Sequence, residues 1–296
     1  MKLFISIIVC ICAGIGTTAQ NINSKPLILY GLFSADSLTT APFNKWFNKT
    51  YDDYQPDSIT VASFKKQSMK DISIQVFLGT WCGDSKREVP RFIKLVNSIN
   101  FPIKQLKLIG LGATDSLYKK SPQGEEKGLG IFRVPTFVIY RKGIEINRIN
   151  EYPALSLEKD LLKIISNQPL QPNYRSLATV TQWLNDGTLL DANSSSRSLA
   201  AHLKPLVNGE NELNSLGYLL LSHQQKKEAL KIFQVNSLLF PESANITSSM
   251  AEGYFENGDY TTAVTLLEKS LEQNKDPQAI KGMLVILYKA KQKTIQ

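Results

Sequence analysis

Ile72-Ser73-Ile74-Gln75-Val76-Phe77-Leu78-Gly79-Thr80-Trp81-Cys82-Gly83-Asp84-Ser85 is the stretch from which the fold reads. It opens with alternation and closes on an apolar run, the pattern of a strand entering a buried core. Gly79 ends the strand, and a helix is expected from the motif at Cys82 to about Ile99. A cysteine at such a junction meets the free N–H groups and the dipole of the helix, which favour the thiolate. A free thiol is only about 3% ionised at pH 7, so a lowered pKa makes such a site reactive.

Working outward, Asn44 to Tyr51 and Asp57 to Met69 read as short helices, with Asp57 as an N-cap, and residues 21 to 42 read as irregular. Lys107 to Leu111 is a second buried strand, and residues 113 to 130 form a polar, glycine-containing loop with a helical turn. Thr136 to Tyr140 and Ile144 to Ile149 are strands joined at Arg141-Lys142-Gly143, a hairpin signal. Ser156 caps a helix to Asn167 with Leu157, Leu161, Leu162, Ile164 and Ile165 on one stripe. Strand, helix, strand, hairpin and helix make an α/β unit. Gln168-Pro169-Leu170-Gln171-Pro172 reads as a linker, and the chain beyond it reads as entirely helical.

The helical part repeats. Gly217 and Ala251, Leu220 and Tyr254, Leu221 and Phe255, Ala229 and Ala263, Leu230 and Val264, and Phe233 and Leu267 are all 34 residues apart. That period, with small residues where paired helices touch, is the tetratricopeptide signature. Leu213-Asn214-Ser215-Leu216-Gly217-Tyr218 resembles the opening of such a repeat, and Pro241 stands where one ends. Two repeats are expected over 211 to 275, a capping helix over 276 to 290, and a degenerate pair within 174 to 207. An ordinary helical bundle is the alternative.

Met1-Lys2, an apolar run from Leu3 to Ile15, and Thr17-Thr18-Ala19 read as a signal peptide, with the mature chain starting at Gln20. An uncleaved anchor is the alternative; a lipoprotein is disfavoured, because Val9 and Ile11 precede Cys10 and Cys12. The implied location is exported, in the cell envelope (periplasm) or secreted, with no stable membrane span after signal removal. The expected order is signal 1–19, extension 20–56, α/β domain 57–167, linker and helical segment 168–210, and repeats 211–296. Signal removal takes away Cys10 and Cys12 and leaves Cys82 alone. An odd cysteine in an oxidising compartment is either inert or a reactive thiol. The charge of +8 is scattered over the chain without a dense basic run, so no nucleic-acid partner is expected.

At Trp81-Cys82-Gly83 the chain resembles the thioredoxin family. Lys86 and Pro90 follow as they do there, and Val134-Pro135-Thr136 with Lys142-Gly143 resembles the family's cis-proline segment and closing hairpin. The resemblance covers about 60 to 167. It implies a thioredoxin-like α/β domain followed here by an all-α tetratricopeptide-like domain, with Cys82 as the reactive thiol. It also implies substrate contacts at Trp81, Gly83, Val134, Pro135 and Thr136, where the Val134 backbone pairs with an extended peptide. A turn proline without a binding role is the alternative at Pro135. The chain departs from the family in three places: Asp84 replaces a proline, Ser85 replaces the second cysteine, and Val76 stands where a buried acid is common.

A dithiol cycle therefore cannot run within this chain. The expected activity is monothiol exchange or disulfide isomerisation on proteins with exposed thiols or disulfides, or on small thiols. Ser85 is expected to donate to the thiolate, and Asp84 to disfavour it. The alternative is a redox-inactive scaffold that binds a partner protein through its repeats. His202 and His223 both lie in the helical part, leaving Cys82 without a histidine partner in its own domain. Metal spacings are missing, Gly110-Leu111-Gly112 lacks a third glycine, and the residues after Gly79 do not form a phosphate loop. No cofactor or metal is expected. Asp84 and Glu88 read as a solvated helix face.

Overall fold

The computed structural model describes residues 27–294. The expected signal peptide and the start at Gln20 lie outside the described residues. An α/β region comes first, and an all-helical region follows it.

Five strands form one sheet: β1 (Gly31–Phe33), β2 (Ile72–Leu78), β3 (Leu106–Gly110), β4 (Thr136–Arg141) and β5 (Ile144–Asn150), in the order β1-β3-β2-β4-β5. β2 runs parallel to β3; β1 on β3, β4 on β2 and β5 on β4 are antiparallel. Four helices belong to this region: α1 (Asn44–Asp53), α2 (Ser58–Ser63), α3 (Gly83–Ser98) and α4 (Leu157–Ile165). The caps read from sequence form, with Asp57 accepting from the Thr60 N–H and Ser156 from the Lys159 N–H.

Period-2 alternation in β2 splits the core in two. Ile72, Ile74, Val76 and Leu78 face one way, with Phe137 and Ile139, and pack on α1, α3 and α4. Phe77 faces the other way and joins Ile109, Leu111, Ile131, Val134 and Val138, against which Trp81 and Cys82 pack. Phe92 of α3 seals the first cluster, its ring 4.5 Å from that of Phe137. A fully buried phenylalanine contributes about 1.5–3 kcal/mol by burial alone.

Two differences from the sequence reading concern the start of the chain. The stretch expected to be irregular holds β1, three residues paired through Gly31 and Gly110. Leu38, Phe43 and Phe47 are buried in the first cluster, so the region expected as an extension supplies a strand and a helix to the α/β core. The helix expected from 57 to 69 is short: α2 passes into a 3-10 turn at Phe64–Lys66.

The helical region has α5 (Ser176–Asp186), α6 (Ser196–Leu203), α7 (Glu210–Ser222), α8 (Lys226–Leu239), α9 (Ala244–Glu256), α10 (Tyr260–Gln273) and α11 (Pro277–Thr294). Among residues paired at 34, Ala229, Ala251, Ala263, Phe233 and Leu267 are all fully buried. A Cβ on Gly217 would stand 2.3 Å from the Phe233 ring, so a side chain there would part α7 from α8. Among the described residues, no helix is long and apolar enough to cross a membrane.

The two regions are packed together. Phe132, from the loop before β4, is buried in one cluster with Leu177 and Val180 of α5 and Leu213 and Leu216 of α7. Asn185 donates to the Gly128 carbonyl at 3.2 Å.

Candidate functional site

Cys82 is the N-cap of α3, at the end of β2, with extended backbone (φ −86°, ψ 131°). It is half-buried and free. The apolar strand before it must end where the sheet ends, and Gly83 then starts the helix, so the thiol stands at the helix N-terminus. Its Sγ–H donates to the Val134 carbonyl at 3.3 Å. The Val134–Pro135 peptide is cis. Trp81 turns back over the site: its Nε1–H donates to the Leu111 carbonyl at 3.0 Å, and its ring lies 5.4 Å from that of Tyr118.

Trp81, Cys82 and Val134 come together as described. Gly83 is exposed, and a Cβ built on it meets nothing within 4 Å, so the open side of Cys82 is the start of α3. Thr136 is fully buried, its hydroxyl donating to the Arg133 carbonyl at 2.7 Å, where it fixes the turn into β4 beside Pro135. Val134 is only 3% exposed, with its side chain in the second core cluster and its carbonyl taken by the thiol. A peptide that pairs with the Val134 backbone has to displace that contact.

Ser85 and Asp84 behave differently from the expectation. Ser85 is fully buried and its Oγ accepts the Gly79 N–H at 3.2 Å. The hydroxyl therefore ties the end of β2 to the first turn of α3. Among the described residues, the hydrogen-bond partner of the thiol is the Val134 carbonyl. Asp84 is held by Arg87 at 2.7 Å, which offsets its negative charge beside the helix start. Glu88 is not solvated: it is 3% exposed and paired with Arg87 at 2.6 Å and Arg91 at 3.5 Å. Arg87 is held above its usual range, by Glu88 first, against burial, with Asp84 adding to the rise.

The structure adds four residues that the sequence reading did not bring to the site. Tyr118 packs on Trp81; burial and then the neighbouring Cys82 push its hydroxyl above the usual value. Lys119 is 7% exposed, and its ammonium donates to the Phe132 carbonyl at 2.7 Å. Burial, helped by Arg133, lowers Lys119 to about 8, while Cys82 and Glu151 act in the opposite sense. Arg133 pairs with Glu151 at 3.6 Å, lies 4.6 Å from the Tyr174 ring, and donates to the Asn211 carbonyl and the Ser215 hydroxyl of α7, each at 3.2 Å. His223, just past α7, holds the Tyr118 carbonyl through Nε2 at 2.7 Å. α7 thus grips the loop between β3 and β4 at both ends, and that loop carries Lys119 and leads to Val134.

A cleft of about 690 Å³ lies between this loop and the helical region, lined in part by Lys120, Glu126, Lys127, Asn185 and His223. Its walls do not include Cys82. Among the described residues, no group of three His, Cys, Asp or Glu side chains is placed to hold a metal ion.

No protein-family model matches this chain, and a search of curated proteins finds no match either.

Proposed function

We propose that the protein is an exported, thioredoxin-like monothiol exchange protein whose nucleophile is Cys82, carried on a domain braced by tetratricopeptide-like repeats. The observation that carries this reading is the placement of Cys82: half-exposed, at the N-terminus of a sixteen-residue helix, with its sulfur on the carbonyl of Val134. Helix N–H groups and the dipole favour negative charge at that point. A buried structural cysteine needs none of this.

The chemistry is an exchange of sulfur partners. The Cys82 thiolate attacks a substrate disulfide; the new Sγ–S bond forms and the old S–S bond breaks. The electron pair of the broken bond leaves on the departing sulfur. Ser85 holds the place of a second thiol but is committed to Gly79, so the mixed disulfide has no internal route of release. A thiolate of the substrate, or a small thiol, then attacks the mixed disulfide and expels Cys82 as thiolate. Over both steps the chain gains and loses no electrons, which suits isomerisation of protein disulfides.

The test is reactivation of a protein carrying scrambled disulfides, with a small thiol present to start the exchange. Wild type should speed recovery over the thiol alone, and Cys82→Ser should not. Equal rates for wild type and Cys82→Ser would leave the second reading, a scaffold whose helical region binds a partner. That reading draws on the absence of a second thiol in the described chain and on the length of helical surface beyond α7.

A further inference from the structure

We infer that Lys119 is a positioning residue for the exchange at Cys82: near neutral pH its ammonium is the positive charge held beside the sulfur when that sulfur is a thiolate. The inference rests on the exchange reading of Cys82.

Lysine is almost never fully buried unless an acid pairs with it. Lys119 is 7% exposed, yet among the described residues none of the ion pairs includes it. Glu151, the acid within its electrostatic reach, is already engaged by Arg133 and by the Tyr174 hydroxyl. The ammonium has instead one carbonyl, that of Phe132 at 2.7 Å, and the face of the Tyr118 ring, 5.0 Å from its centroid. A lysine kept in the interior without a counter-ion costs stability, so its position calls for a use.

Two sets of contacts place that use at Cys82. The Tyr118 ring under the ammonium is the ring that packs on Trp81, the residue before Cys82. The ammonium holds the Phe132 carbonyl, and the thiol holds the Val134 carbonyl, two residues further along the same segment. Two residues of chain span at most about 7 Å, so the two carbonyls lie close together along one segment. The ionisation of Lys119 also responds to Cys82: a negative sulfur favours the charged lysine.

In the exchange the sulfur is negative twice, before it attacks the substrate disulfide and after the incoming thiolate expels it. At both points the ammonium stabilises the chain's own sulfur and no proton has to move. In the mixed disulfide Cys82 is neutral and the charge of Lys119 is without its anion, which favours approach of the resolving thiolate. Because burial brings Lys119 to about 8, it is charged at neutral pH and loses that charge just above.

A pair of alkylating agents reads this charge directly. Iodoacetate is an anion and iodoacetamide is neutral, and both consume the same thiolate. Their rate ratio at Cys82 therefore reports local charge and not the extent of ionisation. At low salt, wild type should show a high ratio at pH 7 that falls several-fold as pH passes through 8. Lys119→Met should show a low ratio that does not change over this range. Lys119→Arg keeps the cation without titrating, and should hold a high ratio to pH 9. Similar ratios for wild type and Lys119→Met, with Cys82 still reactive in the folded protein, would overturn the inference and leave the exchange reading standing. If Lys119→Met does not fold, the wild-type profile decides alone, since a ratio unchanged through pH 8 overturns it. If Cys82 of folded wild type is inert to both agents, the exchange reading fails and takes this inference with it.

Discussion

Gly130 offers a quantitative test of how the helical region bears on the site. Its backbone is left-handed at φ 61°, where alanine costs about 1–2 kcal/mol. A methyl built there would stand 2.1 Å from Oγ1 and 2.8 Å from Cγ2 of Thr181 in α5. The threonine hydroxyl donates to the Leu177 carbonyl at 2.7 Å, so turning it aside gives up that bond. Overpacking of this kind costs about 1–3 kcal/mol. Gly130→Ala should therefore lose about 2–5 kcal/mol in urea denaturation followed by both circular dichroism and tryptophan fluorescence. Adding Thr181→Ala removes the two nearest crowding atoms and leaves the Thr181 Cβ at 3.0 Å. It should recover most of the overlap but not the backbone cost, leaving a deficit of at least about 1–2 kcal/mol and a coupling of up to about 1–3 kcal/mol in the double-mutant cycle. A Gly130→Ala protein within about 0.5 kcal/mol of wild type would refute the reasoning, because the loop between β3 and β4 would then not be seated on α5.

Three further outcomes follow from the same contacts. Burial holds the His223 imidazole below its usual value, with Lys119 and Lys120 adding to that and the Tyr118 carbonyl and Glu126 opposing it. The unfolded chain then binds the proton more tightly, so stability should fall as pH drops below about 6.5, and His223→Gln should lose this dependence in thermal melts from pH 7.5 to 5.5. Ser85→Ala leaves the buried Gly79 N–H without its acceptor and should cost about 1–3 kcal/mol in chemical denaturation; no loss would mean that the β2–α3 junction does not depend on this bond. Ser85→Cys puts a second thiol one turn from Cys82 and should give insulin reduction with dithiothreitol above the wild-type rate, whereas an unchanged rate would mean that residue 85 cannot reach the sulfur.

What could be read from the sequence was whatever is decided locally. The alternation of Ile72 to Leu78 and the junction at Cys82 depend on neighbours within a few residues, and they appear where the pattern puts them. So do the caps at Asp57 and Ser156 and the hairpin at Lys142-Gly143. β1 escaped because three residues are too few for a period; it exists through pairing with β3, a partner more than seventy positions away. The direction of Ser85 could have been found. It lies four residues before Val89 and seven before Phe92, on the buried stripe of α3, and such a residue turns inward rather than toward a thiol at the cap. Lys119 and His223 could not. Tyr118-Lys119-Lys120 looks like any polar loop, and the lysine is buried only when the segment from Ile131 to Val134 closes over it. His223 looked remote because it lies in the helical region, and the docking of α7 on the loop is a long-range contact with no local sign.

Exposure of the folded protein to oxidised glutathione tests the central claim most directly. Incubation under native conditions, followed by mass spectrometry of the intact chain, should show one added glutathione that persists until an external thiol removes it. Cys82→Ser should show none. A wild-type chain that stays unmodified while folded and takes up glutathione only after denaturation would contradict the account, since Cys82 would then be a structural residue at the head of α3.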